Sequence, residues 1–132
     1  MNRAIRRALA ILAALLVLGI VVLANLGLIH DLLPFLQKTP HLDKAGHFCL
    51  MGGLALLTNY AMHGRRIRLL GREPYLGSLL VFTCVLLEEL SQIFIATRSF
   101  DFADLAADTL GILVLGAIGG RLGSRHCLPH AG

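Results

Sequence analysis

Long apolar segments separated by short polar stretches dominate the chain. A helix needs about 20 mostly apolar residues to cross about 30 Å of hydrocarbon. Four segments of suitable length and character occur, at residues 8–28, 45–62, 76–96 and 104–122. The pattern therefore predicts an all-α membrane protein: a bundle of four transmembrane helices that forms a single domain over residues 1–132.

Polar residues occur near one end of the last three segments. The apolar pattern alone would predict helices that face only lipid and one another, and these residues require a polar interior as well. They are Asp43, Lys44 and His47 at the start of the second, Glu88, Glu89 and Gln92 in the third, and Asp104 and Asp108 in the fourth, with Arg98 and Asp101 in the loop between the last two. A charge at the centre of a membrane helix costs about 2.5–3.5 kcal/mol on insertion scales. Such groups are therefore expected to face one another inside the bundle, because lipid cannot satisfy them.

The depth of these residues follows from helix geometry. At 1.5 Å per residue, Glu89 lies about 20 Å along a helix that starts at Leu76, which is roughly two-thirds of the way across the membrane. Gln92 is three residues from Glu89 and four from Glu88, so the spacing does not decide which glutamate faces the interior. Three helices thus present polar stripes at one level, which predicts a single polar site in the outer half of the membrane.

The distribution of positive charge predicts the orientation. Of the twelve basic residues, only Lys38, Lys44 and Arg98 fall in or beside the loops at 30–44 and 97–103; the other nine fall in the N-terminal segment, at 63–75 or after 120. Basic residues are retained on the cytoplasmic side. Both termini are therefore predicted to be cytoplasmic. Seven of the eight acidic residues cluster toward the outer face.

Composition places the chain in a membrane and argues against nucleic acid as a partner. The sequence is 56% hydrophobic and 15% charged, more apolar than a soluble core of 132 residues requires. The first apolar segment is longer than the 7–15 residues typical of a signal peptide, so it is expected to remain as a spanning helix. The net charge of +4 is explained by topology and by attraction to anionic lipid heads. The predicted location is the bacterial inner (cytoplasmic) membrane, as a multi-pass protein.

Small residues predict where helices approach closely. Glycines 111, 116, 119 and 120 would allow the fourth helix to contact its neighbours, and Gly52 and Gly53 would do the same for the second. The three cysteines have no CxxC partner and are expected to be small buried residues, at positions 49, 84 and 127.

The polar residues also resemble a known family. The string Asp43-Lys44-x-x-His47-Phe48, then Glu89-x-x-Gln92, then Arg98, Asp104 and Gly111, is similar in order and approximate spacing to the VanZ-like family of small membrane proteins. The resemblance spans residues 43–111, with Asp108 where the family usually has asparagine. It implies a helical membrane protein, and it suggests a link to glycopeptide resistance, because the family is named for a teicoplanin-resistance determinant.

Ligand recognition is the function that the sequence favours. An anionic lipid headgroup or polyprenyl-linked precursor would be held at its phosphate by Lys44 and by the planar fork of Arg98. Hydroxyl or amide groups would contact His47, Glu89 and Gln92. The remaining candidates are the carboxylates that orient the cations, Asp43, Asp104 and Asp108.

Other functions remain open at this stage. The polar groups could form a purely structural lock between helices, or an enzyme acting on an envelope lipid could use Glu89, His47 or Asp108 as acid or base. No cofactor and no metal are predicted, since no HExxH pair or cysteine set occurs; the alternative is a divalent-metal site formed by His41, Asp43, His47 and a carboxylate of another helix. Transport is disfavoured because the inner stretches 54–59, 77–83 and 112–118 are almost wholly apolar. The oligomeric state is not predicted.

Overall fold

The computed structural model describes residues 2–28, 39–94 and 101–125, and four α-helices account for most of them. Helix α1 spans Arg3–Asn25, α2 spans Pro40–Ala61, α3 spans Leu76–Ser91 and α4 spans Phe102–Arg125. A 3-10 turn over Gln92–Phe94 extends α3. The predicted all-α class is confirmed.

Three of the helical segments are long and apolar enough to cross a membrane: α1, the unit Leu76–Phe94 that comprises α3 and its 3-10 turn, and α4. Helix α2 has 22 residues but is not among them. Its first two turns carry Asp43, Lys44 and His47, and Asn59 lies near its other end. The predicted fourth crossing, through α2, therefore stays a prediction.

Local sequence explains where the helices begin. The side chain of Asn2 accepts a hydrogen bond from the backbone N–H of Ala4 at 3.2 Å and caps α1. Pro40 occupies the first turn of α2, where its missing N–H costs no helical hydrogen bond. Asp101 accepts from the backbone N–H of Ala103 at 2.8 Å, just before α4. The last two starts lie at the same end of the molecule.

Helices α2 and α4 run parallel and make the most extensive contact in the fold. Glycine makes this contact possible: a Cβ on Gly111 would collide with the carbonyl oxygen of Phe48, and one on Gly119 would collide with that of Leu56. Glycines 116 and 120 are also too closely surrounded to accept a Cβ. The predicted role of the glycines of α4 in close approach is confirmed, and the backbones of the two helices meet directly.

The two adjacent glycines of α2 differ. A Cβ on Gly52 would meet the carbonyl of Gly111 at 2.7 Å, whereas one on Gly53 would have nothing within 4 Å. The prediction for Gly53 was wrong, because neighbouring helical positions point about 100° apart and only one of them can face α4.

The outer faces of the bundle are apolar. Only 6% of the most apolar window of α1 is buried, and this helix packs mainly on α2. Arg6 stacks on the ring of Tyr60 at 4.6 Å, which joins the start of α1 to the end of α2. Cys49 and Cys84 are free and exposed, so their predicted burial was wrong. They lie on helix faces that other helices do not cover.

A pair of glycine substitutions tests the packing. Gly111→Ala should destabilise the protein by about 1–3 kcal/mol, because the added methyl overpacks the contact with Phe48. Gly53→Ala should be neutral or stabilising by up to about 1 kcal/mol, because alanine favours helix and its methyl meets no neighbour. Unfolding in mixed micelles, followed by circular dichroism, measures both changes. Equal effects at the two positions would contradict the packing described.

Candidate functional site

The starts of α2 and α4 and the end of α3 together carry a group of polar side chains, called the polar cluster below. Its members are Asp43, Lys44, His47, Glu88, Glu89, Gln92, Asp101, Asp104 and Asp108. The parallel packing of α2 on α4 brings the first turns of these two helices side by side. Residues about 60 positions apart in sequence therefore contact one another.

Lys44 is the basic centre of the cluster. Its Nζ donates to Asp101 Oδ2 at 2.8 Å and to Asp104 Oδ1, and it lies 3.7 Å from Asp43 Oδ2. The hydrogen bond from Lys44, supported by the backbone N–H of Ala103, holds the pKa of Asp101 below its usual value. The charge of Lys44 is thus already balanced by carboxylates at and just before the start of α4.

His47 lies one turn deeper, between two carboxylates of α4. Its Nδ1 is 3.1 Å and 3.3 Å from the two carboxylate oxygens of Asp108, which is only 1% exposed. A carboxylate can only accept a hydrogen bond, so Nδ1 donates to Asp108. The other ring nitrogen, Nε2, remains for a contact elsewhere. Nε2 lies 3.7 Å from Asp104 Oδ2, too far for a hydrogen bond.

The contribution of α3 is an amide between two carboxyl groups. Gln92 Nε2 is 3.0 Å from each carboxylate oxygen of Glu88 and 3.2 Å from Glu89 Oε1. Glu89 is completely buried, while Glu88 is partly exposed. The structure therefore decides what spacing left open: Glu89 is the interior glutamate. It also lies close enough to His47 to interact with it electrostatically.

One oxygen of Glu89 has unused hydrogen-bonding capacity. Its Oε2 is buried and has no hydrogen-bond partner among residues 2–28, 39–94 and 101–125. Buried polar atoms are nearly always paired with protein, water or ligand, so a buried carboxylate oxygen in this state needs an explanation.

Most of the predicted ligand-binding residues lie in the cluster. Those brought together are Asp43, Lys44, His47, Glu89, Gln92, Asp104 and Asp108. The eighth, Arg98, lies outside the described residues. Asp101 joins the group through Lys44. The described cluster thus holds six carboxyl groups against a single ammonium group, together with one imidazole.

A set of possible metal ligands is present in the cluster. Asp43, His47 and Asp104 each offer one ligand atom, and these atoms lie within 4.8 Å of one another. The sequence-based alternative combined His41, Asp43 and His47 with a carboxylate of another helix. Asp104 is such a carboxylate, whereas His41 is exposed and does not belong to this set.

Sequence reasoning missed a second buried polar site, at the opposite end of the bundle. Asn59 is completely buried; its Nδ2 donates to Ser78 Oγ at 2.7 Å and to the carbonyl of Gly116 at 2.9 Å. Its Oδ1 accepts from the backbone N–H of Ser78 at 3.0 Å. The amide thereby joins α2, α3 and α4 within stretches predicted to be almost wholly apolar. A lone asparagine inside an apolar helix was the available signal.

A comparison with protein-family models identifies the chain. The VanZ/LLP1 model matches residues 11–120. The chain belongs to the VanZ/LLP1 family. The resemblance noted from the polar residues is thereby confirmed, and the matched range of this VanZ/LLP1 protein contains the whole polar cluster. Comparisons with curated proteins and with solved structures give no match.

Proposed function

We propose that this VanZ/LLP1 protein crosses the bacterial cytoplasmic membrane four times, with both termini inside, and binds a ligand of the cell envelope in the polar cluster. The ligand would be an envelope lipid, such as a polyprenyl-linked precursor, or another cell-wall-related molecule. The cluster would then open toward the outer leaflet.

The proposed crossing of α2 is supported by its position in the bundle. Helix α2 packs against each of α1, α3 and α4. A helix surrounded by other helices faces little lipid, so it tolerates polar residues that a lipid-facing helix would not. Helix α2 runs parallel to α4, as the second and fourth helices of a chain that crosses the membrane four times must. The basic residues at the opposite end from the cluster support a cytoplasmic location for that end.

The observation that favours a ligand is the buried Oε2 of Glu89, which has no hydrogen-bond partner among the residues that the structure describes. Leaving a buried polar atom without a hydrogen bond costs about 1–3 kcal/mol, and more for a charged group. A hydroxyl, amide or amine of a ligand would supply the missing donor. A cluster whose only purpose was to join helices would be expected to pair this oxygen within the protein.

The charges of the cluster favour particular ligand groups. Lys44 is occupied by Asp101 and Asp104, so a phosphate would have to displace carboxylates to reach it. Donor groups such as hydroxyls, amides and amines match the surplus of carboxyl groups better. A phosphate contact would therefore depend chiefly on Arg98.

Two other functions make different predictions. A structural lock is favoured by the bonds of Lys44 to Asp104 and of His47 to Asp108, because both join α2 to α4. An enzyme acting on an envelope lipid would use Glu89, His47 or Asp108 as acid or base. Glu89→Gln distinguishes these possibilities, because it preserves shape while removing the charge.

Native mass spectrometry after mild detergent extraction tests ligand binding. The unmodified protein should retain a lipid-sized adduct, and Glu89→Gln should lose it with an unchanged melting temperature. Glu73→Gln is the matched control, since Glu73 is exposed and lies far from the cluster; it should retain the adduct.

The other outcomes reject the binding proposal or change it. If the unmodified protein carries no adduct and Glu89→Gln only melts lower, the cluster is a structural lock. If Glu89→Gln retains the adduct as well as the control does, Glu89 does not bind the ligand, and the enzymatic role becomes the one to assay.

Cysteine accessibility tests the four crossings. Thr39→Cys should react with a membrane-impermeant maleimide in intact spheroplasts, because Thr39 precedes α2 on the proposed outer side. Arg68→Cys, in the loop between α2 and α3, should react only after permeabilisation. Both are introduced into protein with serine at positions 49, 84 and 127. Equal labelling of the two sites before permeabilisation would contradict the topology.

A further inference from the structure

We infer that the polar cluster binds a divalent transition-metal ion through Asp43, His47 and Asp104. The inference goes beyond the proposed ligand recognition and does not require it, because the three side chains come from the protein itself. Two of them lie one turn apart on α2 and the third lies on the adjacent turn of α4.

The distances suit a shared ion. In a tetrahedral site with bonds of about 2.0–2.2 Å, two ligand atoms lie about 3.5 Å apart. His47 Nε2 and Asp104 Oδ2 are 3.7 Å apart, too distant for a hydrogen bond and close to the separation that a common ion imposes. The ligand atom of Asp43 lies within 4.8 Å of the other two, so only a small adjustment would complete the set.

The orientation of His47 also suits a ligand. Metal-binding histidines usually donate their second ring N–H to a carboxylate, which fixes the tautomer and raises the basicity of the ligand nitrogen. Asp108 lies 3.1 Å from Nδ1, so Nε2, which lies on the side of Asp104, is the ring nitrogen that would bind the ion. Asp108 is therefore a positioning residue rather than a ligand.

The neighbouring charges leave room for a cation. Lys44 uses Oδ1 of Asp104 and lies nearest Oδ2 of Asp43, so each of these carboxylates has a second oxygen available. The described cluster has four further carboxyl groups besides these two, so six carboxyl groups in total accompany one ammonium group. Bringing a divalent ion into such a cluster lowers the repulsion among carboxylates.

Glu89 provides an observation independent of the three ligands. Its Oε2 is buried and lacks a hydrogen-bond donor within the described part of the chain, and its carboxyl group belongs to the same cluster as the three ligands. Three protein ligands leave at least one coordination position open, which water normally fills. A metal-bound water is a donor of the kind that this oxygen lacks.

The ligand types select the metal class. Imidazole favours zinc and other late first-row metals, while carboxylates also accept manganese and magnesium. One imidazole with two carboxylates therefore fits zinc or manganese better than calcium, which prefers six to eight oxygen ligands. Zinc is the probe of choice, because it accepts four-coordinate sites with nitrogen and oxygen ligands.

Titration of metal-free protein with zinc alone tests the inference. All proteins should carry His126→Ala, Cys127→Ser and His130→Ala, since these tail residues could bind zinc themselves. In this background the protein should bind zinc in a one-to-one ratio. Asp43→Asn should weaken binding at least tenfold and Asp108→Asn by about 10–100-fold, the usual effect of losing a partner of a ligand. Glu73→Gln should bind as the background protein does.

X-ray absorption then identifies the ligands, and circular dichroism of the metal-free proteins checks folding. Nitrogen and oxygen ligands at about 2.0–2.2 Å, including one imidazole, are expected. The inference is overturned if the background protein binds no zinc, or if Asp43→Asn and Asp108→Asn, both folded, bind it unchanged. Loss of the lipid adduct in Glu89→Gln is a separate measurement, so ligand recognition and metal binding can fail independently.

Discussion

The close parallel contact between α2 and α4 is the constraint on which the rest of the structure depends. Glycine at positions 111 and 119 allows the two backbones to touch at Phe48 and Leu56. Because the helices run in the same direction, their first turns lie at one end of the molecule. Lys44 on α2 therefore meets the carboxylates of α4 there. Bulkier residues along this contact would separate the helices and disperse the polar cluster.

Hydrogen bonding at both ends reinforces this contact. Ion pairs join α2 to α4 at the polar cluster, and the fully paired amide of Asn59 joins α2, α3 and α4 at the other end. The two ends differ in one respect: Asn59 satisfies both its amide and its carbonyl group within the protein, whereas one carboxylate oxygen of Glu89 has no hydrogen-bond partner in the described part of the chain. The proposal that the polar cluster binds a ligand rests on this difference.

Sequence predicted the helical class and most members of the described cluster, because apolar length and the depth of charged residues are local properties. It could not predict contacts that depend on helix rotation. The choice of Glu89 over Glu88, and of Gly52 over Gly53, follows from which face each helix turns toward its neighbours. Asn59 was missed because one amide hardly alters the hydropathy of an apolar segment.

Cross-linking in native membranes tests the parallel arrangement of α2 and α4 most directly. The protein would carry serine at positions 49, 84 and 127 and one added cysteine pair, treated with a short bifunctional thiol reagent. Lys44→Cys with Asp104→Cys should cross-link efficiently within one chain, since these residues form an ion pair. Lys44→Cys with Arg125→Cys, at the far end of α4, should not. The reverse result would show that the helices are antiparallel and that the polar cluster does not exist.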